Sequence, residues 1–158
     1  MNCYVFTAEP RGVTYAQLVD FSCHIASTML LIVQNPDTAP GPRIREKLEK
    51  LKGFQLNVVL GREWPGTVLL SKNQASIYSY RVASGLSELL KAMASRLFEW
   101  VNPEAPEDIC FLRDDRRAIL TTTSHEEDAY LLITAAEFDV LRANMPDLAS
   151  ILQCEGAE

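Results

Sequence analysis

Acidic residues surround a single histidine between positions 106 and 128, and these side chains are the ones in the sequence best suited to chemistry. Carboxylates and an imidazole can bind a divalent cation or transfer protons near neutral pH. We call this set the acidic cluster, and its six members are Glu107, Asp108, His125, Glu126, Glu127 and Asp128. Its use depends on whether the fold brings residues 107–108 and residues 125–128 together.

The acidic cluster lies in a segment that predicts a three-stranded antiparallel meander. Strands are expected at about 108–113, 117–124 and 129–133, because apolar and β-branched runs alternate there with the polar connections DDRR and HEED. A hairpin that turns at Asp115 and Arg116 would pair residues whose numbers sum to about 231. This register predicts that the whole acidic cluster lies at one end of the sheet.

The predicted register sets Glu107 opposite Ser124 and His125 beside Pro106, with no second histidine and no ligand-spaced cysteine nearby. Acidic residues in turns commonly orient the backbone or lie in solvent. No nucleophile elbow, Walker A loop or dinucleotide-binding glycine motif occurs in the sequence. We therefore predict no catalytic residue, no metal site and no cofactor. A small metal-dependent or acid/base enzyme that uses Glu107, Asp108 and His125 is the alternative.

Trp64 is a further candidate, because it precedes a turn formed by Pro65 and Gly66. Tryptophan is enriched at the centres of protein interfaces, so this residue could anchor a partner. The simpler interpretation, which we favour, is that its ring closes part of the core. Trp64 and the six residues of the acidic cluster are the partner-binding candidates of the sequence.

Two helix starts have the spacing of a capping box and of a hydrophobic staple. The residues are Thr14 with Gln17, flanked by Val13 and Leu18, and Thr134 with Glu137, flanked by Ile133 and Phe138. The first helix should end at about Ala26, and 28–34 is interpreted as a buried strand and not as a continuation of that helix. The last helix should run from Ala135 to about Asn144, before Pro146.

The middle of the chain predicts two more helices and a hairpin. Apolar residues recur at helical spacing from Ile44 until Gly53 ends one helix, and a longer apolar stripe predicts a helix over 85–101. FQLNVVL suggests a strand, and residues 67–71 should pair with 75–82 across the KNQ turn. These elements predict one α+β domain over residues 1–158, with a mainly antiparallel sheet and helices on one face.

Composition limits the kinds of partner and the compartment. The chain has 158 residues, and its 15 basic and 21 acidic residues give a formal charge of −6, which argues against nucleic acid or an anionic membrane as the partner. The four cysteines form no CxxC pair, and no signal segment or membrane-length apolar run is seen. We expect a cytoplasmic protein with reduced thiols and, as partner, a protein with a basic surface.

Several motifs resemble those of a loose group of small uncharacterised bacterial proteins, some of which look like immunity proteins of toxin systems. They are EWPGT (63–67), PEDICFLR (106–113), SHEEDAYL (124–131) and the following TAAEFDVL. In the turn after PEDICFLR, where such proteins tend to have a glycine, this chain has DDRR. The resemblance supplies no active-site residue. It implies a bacterial cytoplasmic protein that binds another protein.

The sequence thus favours a non-enzymatic protein-binding module that uses its acidic end, with the enzyme above as the alternative. Negative charge speeds association with a positively charged partner, which agrees with this interpretation. A third hypothesis is a homo-oligomer that forms through an exposed sheet edge or through Trp64.

Overall fold

An eight-stranded antiparallel sheet forms the centre of the computed structural model, which describes residues 1–70 and 72–156. The strands of these residues are β1 (Asn2–Phe6), β2 (Thr28–Gln34), β3 (Gln55–Gly61), β4 (Glu63–Trp64), β5 (Thr67–Val68), β6 (Ala75–Arg81), β7 (Glu107–Leu112), β8 (Ala118–Thr123), β9 (Asp128–Ile133) and β10 (Leu152–Cys154). The helices are α1 (Val13–Ile25), α2 (Pro42–Leu51), α3 (Leu86–Met93), α4 (Ala135–Asn144) and α5 (Pro146–Ser150). The strand order is β10-β1-β9-β8-β7-β2-β6-β3, and β4 and β5 form a separate hairpin.

The most apolar segments occupy the middle of the sheet. In β2, TMLLIVQ has five consecutive buried residues, and the strand pairs with β6 on one side and β7 on the other. A continuous apolar run suits a strand whose two faces are both covered, whereas a half-exposed strand would alternate. The expectation that 28–34 is a strand that follows a helix ending near Ala26 is therefore confirmed.

The helices pack on one face of the sheet and share a single large core. Each helix contributes at least one fully buried leucine to it, namely Leu18, Leu51, Leu90, Leu141 and Leu148. The indole N–H of Trp100 donates to the hydroxyl of Tyr15 at 3.0 Å, and that hydroxyl donates to the carbonyl of Leu90 at 3.1 Å. The predicted α+β fold with helices on one face of an antiparallel sheet is confirmed.

A smaller core lies on the opposite face of the sheet, beneath the hairpin of β4 and β5. Its buried members are Leu30, Ile32, Trp64, Ala75, Ile77, Cys110 and Leu112. The hairpin turns tightly at Pro65 and Gly66, and Gly66 has a φ of 88°, which glycine adopts without steric cost. The hairpin thus covers part of a face that would otherwise expose the apolar residues of β2 and β7.

The predicted meander is confirmed as β7, β8 and β9. Phe111 lies opposite Leu120, as the predicted register requires, and the hydroxyl of Thr122 donates to the carbonyl of Ile109 at 3.1 Å. The pairing shifts by one residue next to the turn, where Leu112 lies opposite Ala118. The predicted register therefore holds from Phe111 to Ile109, toward the end of the sheet where the acidic cluster lies.

The helix predicted over 85–101 is too long, because α3 ends at Met93. Residues after Met93 pair with the segment before α1, since Gly12 donates to Ser95 and Leu97 donates to Pro10 through their backbones. The carboxylate of Glu9 also accepts the backbone N–H of Phe98 at 3.0 Å. The stripe correctly predicted burial, because Leu97 and Trp100 are buried, but tertiary contacts replaced the helix.

The two helix starts differ, although their sequences have the same spacing. At α4, Thr134 and Glu137 form the predicted capping box. At α1 the predicted box is absent, because Gly12 is the N-cap and the hydroxyl of Thr14 bonds the backbone of Arg11. Val13 is 62% exposed, so the predicted staple is also wrong. The backbone pairing of Gly12 with Ser95 sets the start of α1 instead.

The hairpin predicted between 67–71 and 75–82 is also wrong for the described residues of these segments, and Ser71 lies outside the described residues. β5 pairs with β4, and β6 lies between β2 and β3. A two-residue turn closes the local hairpin, and a long apolar strand such as β6 gains more from two full-length neighbours.

Within the described ranges, no helix combines the length and the apolar character needed to cross a membrane.

Candidate functional site at the acidic end of the sheet

The fold brings both parts of the acidic cluster together, as the predicted register requires. Glu107 and Asp108 begin β7, and His125 lies in a short 3-10 turn, Ser124–Glu126, that joins β8 to β9. One ligand-type atom from each of these three side chains lies within 4.8 Å of the other two. The cluster is therefore a real spatial unit.

Asp108 is held by two hydrogen bonds to its side chain. Its side chain is completely buried, and its Oδ1 accepts the backbone N–H of Ser124 at 2.8 Å. Its Oδ2 accepts the indole N–H of Trp64 at 3.0 Å. Burial raises the pKa of Asp108, while these two hydrogen bonds act in the opposite direction. The carboxylate thus joins three distant parts of the chain.

Asp108 also adopts an uncommon backbone conformation, with a φ of 52°. A side chain other than glycine has a steric cost in this left-handed region, although aspartate tolerates it better than most. The pairing of β2 with β7 is irregular at the same place, between Leu30 and Ile32. The local strain is offset by the two hydrogen bonds that this conformation lets Asp108 accept.

Glu107 is the second buried acid, with 8% of its surface exposed. Its Oε2 accepts a hydrogen bond from the side-chain amide of Gln34 at 3.0 Å. In the described part of the chain, neither Glu107 nor Asp108 forms an ion pair with lysine or arginine. Amide and indole donors therefore replace a cation in satisfying these two carboxylates.

The exposed part of the cluster is the turn that follows β8. His125, Glu126 and Glu127 are exposed, and Nε2 of His125 lies 3.6 Å from a carboxylate oxygen of Glu126. Glu127 has a φ of 54°, and its backbone N–H donates to the carbonyl of Ser124 at 3.2 Å. Asp128 is half-buried and pairs with Thr123 as β9 begins. The turn thus presents two carboxylates and an imidazole on a closed backbone.

Trp64 lies apart from this exposed surface. Only 4% of it is exposed, and it packs in the small core under the hairpin. Its ring therefore closes a core, as the simpler interpretation of the sequence expects, and its N–H holds Asp108. Trp64 reaches the acidic end through that hydrogen bond and offers no free aromatic face there.

The nearest groups that could act as nucleophiles are engaged or inactive. Cys110 is fully buried, and burial raises the pKa of its thiol to about 12, so the thiolate is scarce at neutral pH. Its Sγ lies 3.3 Å from the carbonyl of Asp108. The hydroxyl of Thr122 donates to the carbonyl of Ile109, and the hydroxyl oxygen of Ser124 lies 3.5 Å from the hydroxyl oxygen of Thr122. These three side chains are buried, and none of them is paired with a general base in this arrangement.

Sequence reasoning missed two features of this region. The first is Gln34, whose place beside Glu107 depends on the pairing of β2 with β7, and no local pattern indicates that pairing. The second is an open groove of about 790 Å³ between the hairpin and the sheet, lined in part by Val59, Trp64 and Arg116. An apolar strand without charges, FQLNVVL, was the available signal for an exposed edge.

Comparison with protein-family models, with curated proteins and with solved structures finds no match for this chain.

Proposed function

We propose that this protein is a non-enzymatic protein-binding module of a bacterial cytoplasm, with an immunity-like role. Its acidic end binds a basic surface on the partner. One observation carries this proposal: the buried carboxylate of Asp108 fixes an exposed turn on which His125, Glu126 and Glu127 stand together. The two glutamates of this turn carry the same charge, and fixed negative charges speed encounter with a surface of opposite charge.

The difference between the buried and the exposed residues of the acidic cluster supports a role in binding. Glu107 and Asp108 are buried and accept hydrogen bonds from Gln34, Trp64 and the backbone of Ser124. Their role is to position the turn. The side chains left for a partner are those of the turn itself, which are exposed and lie at the rim of any interface formed there.

The test uses charge reversal on the turn and a matched control elsewhere. In Glu126→Lys with Glu127→Lys, association should slow by about tenfold while dissociation changes little, as expected for rim charges. The control is Glu49→Lys with Glu88→Lys, since both of these helix residues are 77% exposed and the change in net charge is the same. The control variant should associate nearly as fast as the wild type.

The binding partners tested are the purified products of the genes that flank this one, measured by biolayer interferometry. A partner of the proposed kind binds the wild type, and binding weakens as the ionic strength rises from about 0.05 M to about 0.3 M. The proposal fails if none of these products binds. It also fails if both charge-reversal variants slow association equally, because net charge and not the acidic end would then explain the effect.

A small metal-dependent or acid/base enzyme is the second candidate, because ligand atoms of Glu107, Asp108 and His125 converge within 4.8 Å. Hydrogen bonds to Asp108 would then orient a ligand, as partners of metal-binding carboxylates commonly do. Calorimetric titration of the wild type with Zn²⁺, Mn²⁺ and Ca²⁺ tests it, beside His125→Ala. Stoichiometric micromolar binding that the variant loses would favour this second function.

A further inference from the structure

The outer edge of β3 has no neighbouring strand in the described part of the chain. β3 pairs only with β6 and ends the sheet on that side. Six of its seven residues are exposed, among them Leu56, Val58, Val59 and Leu60 at 41–60%. In an antiparallel sheet, alternate residues of such a strand direct their N–H and C=O groups outward, where a further strand could pair with them.

This edge lacks most features that commonly prevent strand addition. The strand QLNVVLG has neither a charged residue nor a proline, and it is seven residues long. Only a local irregularity of the pairing between Gln55 and Asn57 interrupts it. The opposite edge of the sheet, β10, has three residues and is short enough to resist pairing. The two edges are therefore not equivalent.

The exposed apolar surface of the molecule is concentrated at this edge. Nine large apolar side chains are exposed among the described residues. Four of them lie on β3, and two more, Val68 and Leu70, lie in or just after the hairpin. Val59 also lines the groove of about 790 Å³ that separates the hairpin from the sheet. A strand added to β3 would place alternate side chains in this groove.

The charge around β3 is positive, in contrast to the whole chain. Residues 52–81, which contain β3, the hairpin and β6, include four basic residues and one acidic residue, whereas the whole chain has a formal charge of −6. The groove itself is lined by one acidic residue, Glu63, and by Arg116 from the β7–β8 turn. Among the described residues, Arg62, Lys72, Arg81 and Arg116 form no ion pair. These cations are available to an acidic ligand.

We propose that the β3 edge binds an extended, acidic segment of a partner protein by strand addition. The backbone of the segment pairs with β3, its apolar side chains enter the groove, and its carboxylates meet the surrounding arginines and lysines. This surface is distinct from the acidic end, because β6 and β2 separate β3 from β7. The proposal does not depend on the function proposed above.

A second copy of the chain fits this edge less well than an acidic segment does. A two-fold antiparallel pairing of β3 with its copy, centred on Val58, would bring the 3-10 turn Lys52–Phe54 of one chain next to Arg62 of the other. Lys52 and Arg62 are both basic, so the pairing would place like charges beside each other at both ends. Charge complementarity therefore selects the acidic segment as the occupant.

The test uses a fluorescein-labelled peptide of alternating glutamate and valine, matched in length to β3, and fluorescence anisotropy. The wild type should bind it at least about tenfold more tightly than a peptide of alternating lysine and valine. Arg62→Glu with Arg116→Glu should weaken binding by about tenfold. The control, Arg11→Glu with Arg142→Glu, changes the net charge equally on other surfaces and should bind like the wild type. Circular dichroism checks that all variants fold.

Two N-methylated peptides separate strand addition from simple charge attraction. One is methylated on its glutamate amides and the other on its valine amides. Strand addition uses the amides of alternate residues, so one peptide should lose binding and the other should keep it. Equal binding of both methylated peptides would overturn the proposal. So would binding of the basic peptide as tightly as the acidic one, or a stable dimer in sedimentation together with no peptide binding.

Discussion

Asp108 connects the small core to the exposed turn, since one of its oxygens bonds Trp64 and the other bonds Ser124. A buried carboxylate is stabilised only when its hydrogen bonds are made, and each buried donor also needs its acceptor. The acidic end therefore depends on a residue that is itself fully buried. At the scale of single residues, the buried members of the cluster determine the geometry and the exposed members supply the charge.

Replacing Asp108 with asparagine should lower the free energy of unfolding by about 1–3 kcal/mol. Asparagine tolerates the same backbone conformation, but its amide group can accept only one of the two donors and presents N–H groups to the other. Urea denaturation measures the loss. Asp114→Asn, in the exposed β7–β8 turn, is the control and should change little. Equal stability of both variants would contradict the role given to Asp108.

Trp64→Phe supplies an independent check of the same interaction, because it removes the N–H donor and keeps an aromatic ring. If the two side chains interact as the structure shows, the effects of Asp108→Asn and Trp64→Phe should not add. The coupling free energy in a double-mutant cycle should be about 1 kcal/mol. Full additivity would show that the hydrogen bond contributes nothing to stability.

Arg116 occupies a turn position that favours glycine, with a φ of 67°. Its backbone N–H donates to the carbonyl of Arg113, and Arg113 donates to Arg117, both at 2.9 Å, as in a tight turn followed by a left-handed residue. Arg116→Gly should therefore raise the free energy of unfolding by about 0.5–1 kcal/mol, after the greater flexibility of unfolded glycine is subtracted. Thermal denaturation measures the gain. Asp114→Gly, without a positive φ, should destabilise.

Single elements show why one pattern predicts correctly at one place and fails at another. Thr134 and Glu137 form their capping box because, within residues 1–70 and 72–156, the side chain of Arg113 is the one other side chain that bonds them, and it donates to the Glu137 carboxylate without displacing the box. At α1, the spacing of Thr14 and Gln17 is the same, but the side chain of Gln17 accepts the backbone N–H of Leu148 instead. Local spacing is informative only where no distant group competes for the same atoms.

Glu137 contributes to stability at neutral pH and loses that contribution in acid. Hydrogen bonds from Arg113 hold the pKa of Glu137 below its usual value. A lowered folded pKa means that the contribution is present above the unfolded pKa and disappears as the pH falls through the folded pKa. Glu137→Gln should thus lower the free energy of unfolding by about 1–2 kcal/mol at pH 7.

The same variant should match the wild type at a pH well below the folded pKa, where Glu137 is itself protonated. Urea denaturation across the acid range measures the difference. Asp139→Asn is the control, because Asp139 and its partner Arg142 are 65% and 66% exposed and such pairs contribute little. A difference that persists unchanged in acid would show that the charge of Glu137 is unimportant.

Across the whole molecule, the sequence predicted the parts that depend on neighbouring segments. The meander follows from short turns, and its register predicts the proximity of Glu107 and His125 that the structure shows. The bond between Trp64 and Asp108 joins residues 44 positions apart and left no local signal. The apolar run QLNVVL suggested a strand, but only the order of strands shows that this strand lies at an exposed edge.

Strand order also predicts how protection from hydrogen exchange is distributed over the molecule. Amides of β7 and β8, at the centre of the sheet, should exchange most slowly, because opening them disrupts both cores. Along β3, amides that bond β6 should be protected, while those that face outward should exchange about 100-fold faster or more. NMR-detected exchange resolves the two sets. Uniform protection along β3 would contradict the open edge, because every amide would then have an acceptor and the edge would be covered in solution.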